Sequence, residues 1–342
     1  MTVRVGINGF GRIGRSVVRA AHARGADLDI VAVNDLAPIG HMAHLLRLDS
    51  VYGRFPGDVR VRSDRIDVDG LHLRFLTEQE PKNLPWADLG VEVVIEATGR
   101  YRDRDAAAAH IDAGARLVVV SAPCKGADAT FVVGVNDHTF DPEAHEVVSN
   151  ASCTTNCLVP MVKVLDDAFG VERGLVTTVH AYTGDQMLVD GPHKDLRRAR
   201  AAAFNIVPTS TGAARATSLV IEALDGRLDG TALRVPVPDG SVTDLVATLR
   251  REATAREVSE AFRAAASDGP LAAVLEYSEA PLVSTDVVGS PASCIFDAPL
   301  TLAIGDMVKV LGWYDNEWGY ANRLVDLAFA VGQGTMTSGQ RT

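Results

Sequence analysis

Apolar residues in the first 150 positions form short, nearly continuous runs separated by helical stretches. The run VRVGING is followed by a helical segment through Val17 and Val18 to His22, and then by DIVAVND. The order repeats in VEVVIEATG, RDRDAAAAHIDAG and ARLVVVSAP, and two more apolar runs follow, TFVVGVND and HEVVSN. Runs rich in Val and Ile are typical of parallel strands that are covered on both faces. The pattern therefore predicts repeated βαβ units.

Two other stretches depart from this rhythm. Residues 58–75 alternate polar and apolar positions, which predicts an antiparallel excursion with a turn at Asp69-Gly70. From Ala151 a helical stretch, SCTTNCLVPMVKVLDDAFG, is followed by long strand-like runs, GLVTTVHAYT, ALRVPVPDGSVTDLVATL, SCIFDAPLTLAI and MVKVLGWYDN. This texture predicts an α+β region with a mainly antiparallel sheet. Apolar residues at helical spacing after residue 317 predict a terminal helix.

The length of 342 residues exceeds that of a typical single-core domain, so two domains are expected. We predict an α/β domain over residues 1–151 and an α+β domain over residues 152–316. The helix over about 317–335 is expected to pack back onto the first domain.

Charge and cysteine content exclude several classes of protein. A net charge of −11 argues against a surface that neutralises nucleic-acid phosphates. The N-terminus lacks the features of a signal peptide, and no apolar run approaches membrane-spanning length. Four cysteines are too few for a disulfide scaffold and fit a reducing compartment. We therefore expect a cytoplasmic protein without nucleic-acid or membrane partners.

The most informative local motif is a G-x-G-x-x-G sequence that follows the first strand and opens the first helix, Gly9-Phe10-Gly11-Arg12-Ile13-Gly14. Gly9 can make the tight turn, Gly11 lets the backbone approach a pyrophosphate, and Gly14 permits close helix packing. The motif predicts a Rossmann dinucleotide-binding domain.

A carboxylate, Asp35, ends the next strand 21 residues beyond Gly14, where this fold binds the adenosine ribose. A carboxylate accepts hydrogen bonds from ribose hydroxyls and repels a 2′-phosphate, which favours NAD over NADP. The alternative is that the glycines form an ordinary turn and Asp35 only caps the following segment.

Cys153 lies directly after a strand and at the start of a helix, where the helix dipole favours a reactive thiolate. Cys157, one turn further, is a small buried apolar residue in the simplest interpretation. No second cysteine pair or histidine cluster lies nearby, so no metal site is expected. His180, at the end of a strand, could serve as the base for Cys153, although a lone strand histidine is often structural.

The segments VGINGFGRIGR, SNASCTTNC, PHKDLRRARAAA, PTSTGAARA, ALRVP and GWYDNEWGY, in this order over essentially the whole chain, resemble phosphorylating glyceraldehyde-3-phosphate dehydrogenases. The resemblance implies a homotetramer that uses NAD and inorganic phosphate in glycolysis or gluconeogenesis. It implies conversion of glyceraldehyde 3-phosphate to 1,3-bisphosphoglycerate through a cysteine thioester. The alternatives are an erythrose-4-phosphate dehydrogenase and a cofactor-binding regulatory protein without catalysis.

The resemblance also implies roles for individual residues. It makes Cys153 the nucleophile and His180 its base. It assigns cofactor binding to Gly9, Gly11, Arg12, Ile13, Gly14, Asp35, Gln79, Ser121 and Asn316. It assigns the attacking phosphate to Ser152, Thr154, Thr211 and Gly212, and the substrate's own phosphate to Thr183 and Arg234. One arginine of the run 197–200 is implied near a phosphate pocket.

Two positions depart from the pattern of the family. Gly184 stands where asparagine is common, which is expected to loosen the loop after His180. Gln79 replaces an arginine that relatives often carry near the adenine.

Overall fold

A computed structural model describes residues 2–334, which divide into two compact units. Within the described residues, the first unit comprises residues 2–133, 137–152 and 321–334, and the second comprises residues 134–136 and 153–320. Each unit is built around its own sheet.

The first unit contains eleven strands among its described residues: β1 (Val3–Asn8), β2 (Leu28–Asn34), β3 (Leu48–Asp49), β4 (Gly53–Arg54), β5 (Val59–Val61), β6 (Arg65–Val68), β7 (Leu71–Leu76), β8 (Val93–Glu96), β9 (Leu117–Val120), β10 (Ala129–Thr130) and β11 (Val147–Ser149). Nine of them form one sheet in the order β10-β11-β9-β8-β1-β2-β7-β6-β5, and β3 pairs with β4. From β7 to β10 every neighbouring pair is parallel. The direction of winding reverses at β1, where a doubly wound sheet binds its ligand.

The helices that accompany this sheet are α1 (Arg12–Arg24), α2 (Ile39–Arg47), α3 (Arg104–Ala107) and α4 (Ala109–Asp112). The alanine-rich segment thus forms two short helices rather than one, and α2 had no counterpart among the predicted elements. The excursion at residues 58–75 is the antiparallel set β5, β6 and β7, with Asp69 and Gly70 at positive φ in the predicted turn.

The second unit begins with α5 (Cys153–Phe169) and includes α6 (Ala213–Ala216) and α7 (Ala255–Ser267). Its strands are β12 (Val171–Ala181), β13 (Val207–Ser210), β14 (Leu228–Val235), β15 (Ser241–Leu249), β16 (Leu275–Ser278), β17 (Cys294–Asp297), β18 (Leu302–Ile304) and β19 (Met307–Tyr314). The sheet order is β13-β14-β12-β15-β19-β17-β16, with β18 also on β19. Among the described strands of this second sheet, only the β12–β14 and β16–β17 pairs are parallel. The predicted fold class, a Rossmann domain with a mainly antiparallel α+β domain, is confirmed.

The terminal helix α8 (Trp318–Gln333) continues from the second unit into the first. Within the first unit, Asp326 pairs with Arg24 at 2.6 Å, and the Arg116 guanidinium donates to the Gly332 carbonyl at 2.7 Å. Residue 335 of the predicted helix lies outside the described residues. No helix within residues 2–334 is long and apolar enough to span a membrane.

One predicted strand is wrong for most of its length. The run TFVVGVND keeps only Thr130 in β10, and the chain then turns. Gly134 has φ +84°, and a Cβ there would lie 2.8 Å from the Pro270 carbonyl oxygen. Phe131 and Val132 are buried, and the Phe131 N–H donates to the Ser149 carbonyl at the end of β11 at 2.8 Å, so the stretch contacts the sheet although it lies outside the named strands.

Candidate active site

The G-x-G-x-x-G turn links β1 to α1 in the first unit, and each glycine meets a different steric condition. Gly9 has φ +95°, and a Cβ there would lie 2.6 Å from the Thr98 nitrogen. A Cβ on Gly14 would lie 2.2 Å from the Gly9 carbonyl oxygen. A Cβ on Gly11 would meet no atom within 4 Å, so the space beside its backbone is open. Gly9 and Gly14 therefore serve the fold, whereas Gly11 leaves room for a ligand.

Asp35 lies beside this turn. One of its carboxylate oxygens accepts from the Phe10 N–H at 2.9 Å, and the other accepts from the Ala37 N–H at 2.9 Å. Each oxygen keeps a further lone pair that could accept from a ribose hydroxyl. The Arg12 guanidinium pairs with Asp49 at 2.5 Å. Arg12 is also the first residue of α1, and a helix N-terminus attracts the negative charge of a pyrophosphate.

In the second unit, Cys153 is the first residue of α5, and its Sγ lies 3.5 Å from Nε2 of His180 on β12. The other ring nitrogen, Nδ1, lies 2.7 Å from the Ala181 carbonyl oxygen. If Nδ1 donates its hydrogen to this carbonyl, Nε2 is left unprotonated and faces the thiol. This arrangement can pass a proton from Cys153 to His180, as the sequence-based hypothesis requires.

Arg234 lies against the same imidazole. Its Nη1 donates to the Ala181 carbonyl at 3.0 Å and lies 2.6 Å from Nδ1 of His180. An arginine nitrogen can only donate, so Nδ1 can carry its hydrogen only when the Nη1 hydrogen points at the carbonyl and not at the ring. The position follows from the sheet register, since His180 on β12 is the direct neighbour of Arg234 on the parallel strand β14. A fixed positive charge is thus held beside the cysteine and the histidine.

Burial dominates the proton affinities of the pair. Burial raises the pKa of Cys153 to about 11, although the charge of Arg234 and hydrogen bonds from Thr154 oppose this. Burial, and then the charge of Arg234, lowers the pKa of His180 to about 3. Burial therefore disfavours the charged form of each group, the thiolate of Cys153 as well as the imidazolium of His180, and opposes the stabilisation of a thiolate by the helix dipole.

A buried tyrosine, Tyr314, packs against His180 and binds the threonine that follows Cys153. The Tyr314 hydroxyl lies 2.9 Å from Oγ1 of both Thr154 and Thr178, and its ring meets His180 edge to face with centroids 5.9 Å apart. Burial raises the pKa of Tyr314, so it remains a neutral hydroxyl. Tyr314 lies in the segment GWYDNEWGY but was not among the predicted site residues.

The loop after His180 is tied together by its own side chains. The Thr183 hydroxyl donates to Asp185, whose other oxygen accepts from Arg198 at 2.5 Å. Arg198 also donates to the Thr209 hydroxyl at 3.0 Å, and its charge is close enough to lower the pKa of His180. Arg198 therefore links the basic run to the loop beside the cysteine site.

The remaining predicted residues are found in different local settings. A Cβ on Gly184 would meet no atom within 4 Å, so the family's asparagine would fit there. Thr211 has a local contact, accepting from the Ala213 N–H at 3.2 Å, and Gly212 is exposed.

The predicted residues outside these loops differ in burial. Gln79 is exposed, Ser121 is half-buried and follows β9, and Ser152 is half-buried directly before Cys153. Asn316 is buried, and its Oδ1 accepts from Ser241. None of the described residues forms a group of three or more side chains suited to a metal ion.

Comparisons with known proteins identify the family. The model described as "Glyceraldehyde 3-phosphate dehydrogenase, NAD binding domain" matches residues 3–104, and "Glyceraldehyde 3-phosphate dehydrogenase, C-terminal domain" matches residues 152–316. The chain is 60% identical over 332 residues to glyceraldehyde-3-phosphate dehydrogenase 2 of Streptomyces arenae, covering 97% of this chain and 99% of the relative. The chain belongs to the glyceraldehyde 3-phosphate dehydrogenase family.

Two further relatives in this family are similar over the same extent. Glyceraldehyde-3-phosphate dehydrogenase of Streptomyces coelicolor is 57% identical over 333 residues, and that of Mycobacterium avium is 56% identical over 339 residues. Both alignments cover 97% of this chain and 99% of the relative. The family's NAD binding domain includes the glycine turn and Asp35. The open space at Gly11 and the free lone pairs of Asp35 fit a dinucleotide.

Proposed function

We propose that the chain catalyses the NAD-dependent oxidation and phosphorylation of glyceraldehyde 3-phosphate to 1,3-bisphosphoglycerate. The observation that carries this proposal is the 3.5 Å approach of Cys153 Sγ to His180 Nε2, with Arg234 against the same imidazole. A nucleophile at the start of a helix, beside a base and a fixed cation on neighbouring strands, suits covalent catalysis on an anionic aldehyde. The family membership of nearly the whole chain supports the same reaction.

The cysteine and histidine perform the covalent steps. Cys153 Sγ attacks the aldehyde carbon while Nε2 of His180 accepts the thiol proton, and the electron pair of the C=O bond moves to oxygen, which gives a hemithioacetal alkoxide and an imidazolium. Oxidation of the hemithioacetal leaves a thioester on Cys153. An oxygen of inorganic phosphate then attacks the thioester carbon, the C–S bond breaks, and the imidazolium reprotonates the departing sulfur. Proton transfer within one neutral pair avoids an isolated buried charge.

Arg234 and the threonines around the pair supply the anion sites. Nε of Arg234 is buried and has no hydrogen-bond partner among residues 2–334, so a phosphate oxygen would satisfy it. We assign the substrate's phosphate to Arg234 and Thr183. We assign the attacking phosphate to Ser152, Thr154, Thr211 and Gly212. Arg198 is added because it holds Asp185, which in turn holds Thr183.

We assign cofactor binding to residues 1–151 and catalysis to residues 152–316, in keeping with the two family matches. The turn from Gly9 to Gly14 would hold the pyrophosphate, Asp35 the adenosine ribose, and Asn316 the carboxamide. Gln79 and Ser121 complete the assigned cofactor contacts. When bound, NAD supplies the hydride acceptor for the oxidation of the hemithioacetal.

We also propose a cytoplasmic homotetramer. All four cysteines are free thiols, which suits a reducing compartment. Several large apolar side chains between β12 and β13 are exposed, including Leu188 at 83%, Leu196 at 82% and Phe204 at 89%. Apolar groups at this exposure are normally covered by association. Sedimentation velocity tests the assembly: four copies are expected, and a stable monomer would contradict it.

The activity is tested by cofactor reduction with glyceraldehyde 3-phosphate and inorganic phosphate. Cys153→Ala is expected to abolish turnover, while Cys157→Ala, one helical turn away, serves as the matched control and keeps it. Undiminished turnover in Cys153→Ala would refute the nucleophile. A higher kcat/KM on erythrose 4-phosphate than on glyceraldehyde 3-phosphate would overturn the substrate assignment.

A further inference from the structure

A buried hydrogen-bond chain joins the strand of His180 to Asn316. The Ala181 N–H donates to Oγ of Ser241 at 3.1 Å, and the Ser241 hydroxyl donates to Oδ1 of Asn316 at 2.6 Å. Ser241 has no exposed surface, and Asn316 is 5% exposed. All three residues belong to the second unit.

The sheet register explains why Ser241 occupies this place. Ser241 is the first residue of β15, the strand between β12 and β19. It lies opposite Tyr314 at the end of β19, two residues before Asn316. The next residue, Val242, lies opposite Val179 on β12. Ser241 therefore reaches both the end of the His180 strand and the segment that carries Asn316.

The two hydrogen bonds through Ser241 permit only one orientation of the Asn316 amide. The Ala181 N–H can only donate, so it occupies a lone pair of the serine oxygen. The single serine hydrogen is then left for Asn316, whose only acceptor atom is Oδ1. With the amide reversed, Ser241 would receive two donors, and its own buried hydrogen would lose its acceptor. The structure thus turns Nδ2 of Asn316 away from Ser241, and Nδ2 has no partner among residues 2–334.

We propose that Ser241 is a positioning residue that fixes Asn316 as an N–H donor and so makes it select a carbonyl oxygen. This inference rests on the proposed function, in which the ligand of Asn316 is the nicotinamide carboxamide. A carboxamide offers both a carbonyl and an NH2 group. An asparagine that can only donate binds the carbonyl and rejects the reversed carboxamide. A fixed hydrogen bond to the carboxamide carbonyl would also resist rotation of the ring about its glycosidic bond, and so would favour one ring face in the reaction.

Calorimetry with two ligands tests this role on the full chain. NAD carries the carboxamide, whereas ADP-ribose contains the rest of the same molecule without nicotinamide. We expect Ser241→Ala to weaken NAD binding about tenfold, because the amide can reverse, and to leave ADP-ribose binding unchanged. Thr243→Val is the matched control: Thr243 lies on β15, is fully buried, and its hydroxyl has no partner among the described residues. The control is expected to bind both ligands as wild type does.

A second readout follows the ring face directly. Oxidation of glyceraldehyde 3-phosphate that carries deuterium at C1 labels one face of the reduced cofactor, which NMR distinguishes. Wild type and Thr243→Val are expected to label a single face, and Ser241→Ala to give a mixture. If Ser241→Ala does not fold, Ser241→Cys replaces it, since a thiol conserves volume but donates weakly and should show the same losses in smaller measure.

Two results would overturn the inference. One is equal weakening of NAD and ADP-ribose in the serine variant, which indicates a general structural role. The other is no change for either ligand. The proposed function fails separately: if wild type does not oxidise glyceraldehyde 3-phosphate but NAD and ADP-ribose still respond differently to Ser241→Ala, the positioning role stands and the reaction does not.

Discussion

The glycine turn after β1 and the cysteine site at the start of α5 are built in opposite ways. The turn consists of six consecutive residues, and the backbone packs so closely that a Cβ on Gly14 would lie 2.2 Å from the Gly9 carbonyl oxygen. The cysteine site takes Cys153 from a helix, His180 from β12, Arg234 from β14 and Tyr314 from β19. Its geometry is fixed by the register of a sheet.

This difference determines what a change in each region does. A side chain added in the turn would meet the Thr98 backbone at Gly9, the Gly9 carbonyl at Gly14, or open space at Gly11. Effects on the fold and on binding can therefore be separated residue by residue. A substitution in the cysteine site acts on side chains that only the folded sheet brings together. The two regions should therefore respond independently to their own substitutions.

The largest effect is expected at the base of the cysteine site. His180→Gln removes the proton acceptor of Cys153 and should lower kcat/KM by roughly 1,000-fold. NAD affinity should remain within about twofold, because the glycine turn is untouched. Steady-state kinetics and calorimetry on the same preparation measure both quantities.

Alkylation by iodoacetamide sharpens the same prediction through pH. Burial raises the pKa of Cys153 to about 11, so a thiol that has lost its base should ionise mainly at alkaline pH. In His180→Gln the alkylation rate should therefore keep rising with pH until it nears that value. A variant that alkylates at the wild-type rate at neutral pH would show that His180 does not activate the cysteine.

The next effect belongs to the glycine turn. Gly11→Ala adds a methyl group to open space, so thermal stability should be unchanged while NAD affinity falls roughly 10- to 100-fold. Gly14→Ala forces the Gly9 carbonyl to move and should destabilise the fold by roughly 1 to 3 kcal/mol. Thermal melts and calorimetry compare the pair. Loss of stability in Gly11→Ala with unchanged affinity would reverse the roles of the two glycines.

The smallest effect is expected from Tyr314→Phe. It leaves the hydroxyls of Thr154 and Thr178 without their shared partner, which should cost roughly 1 to 2 kcal/mol of unfolding free energy. Turnover should change by at most about threefold, since the tyrosine does not lie between the cysteine and the histidine. A loss comparable to that of His180→Gln would make Tyr314 part of the proton transfer.

What the sequence could predict follows from the same contrast. The glycine turn, Asp35 and the βαβ order are local sequence patterns, and local steric rules are enough to predict them. The contact between Cys153 and His180 depends on how α5 packs on β12. The two residues are 27 positions apart in the sequence, and this separation does not predict that Sγ and Nε2 lie 3.5 Å apart. The helix position of Cys153 also suggested a lowered pKa, but burial is a property of the whole unit. Tyr314, Arg198 and Ser241 act through partners on other strands or loops, which no local pattern reveals.

The central claim is that Cys153 carries the acyl group, and trapping that group tests it most directly. The chain is mixed with glyceraldehyde 3-phosphate and NAD in the absence of inorganic phosphate, quenched in acid and analysed by intact mass and peptide mapping. We predict one 3-phosphoglyceroyl group on Cys153 for each reduced cofactor, discharged when phosphate is added before the quench. A full equivalent of reduced cofactor with no adduct on Cys153, or with the adduct on another residue, would contradict the account.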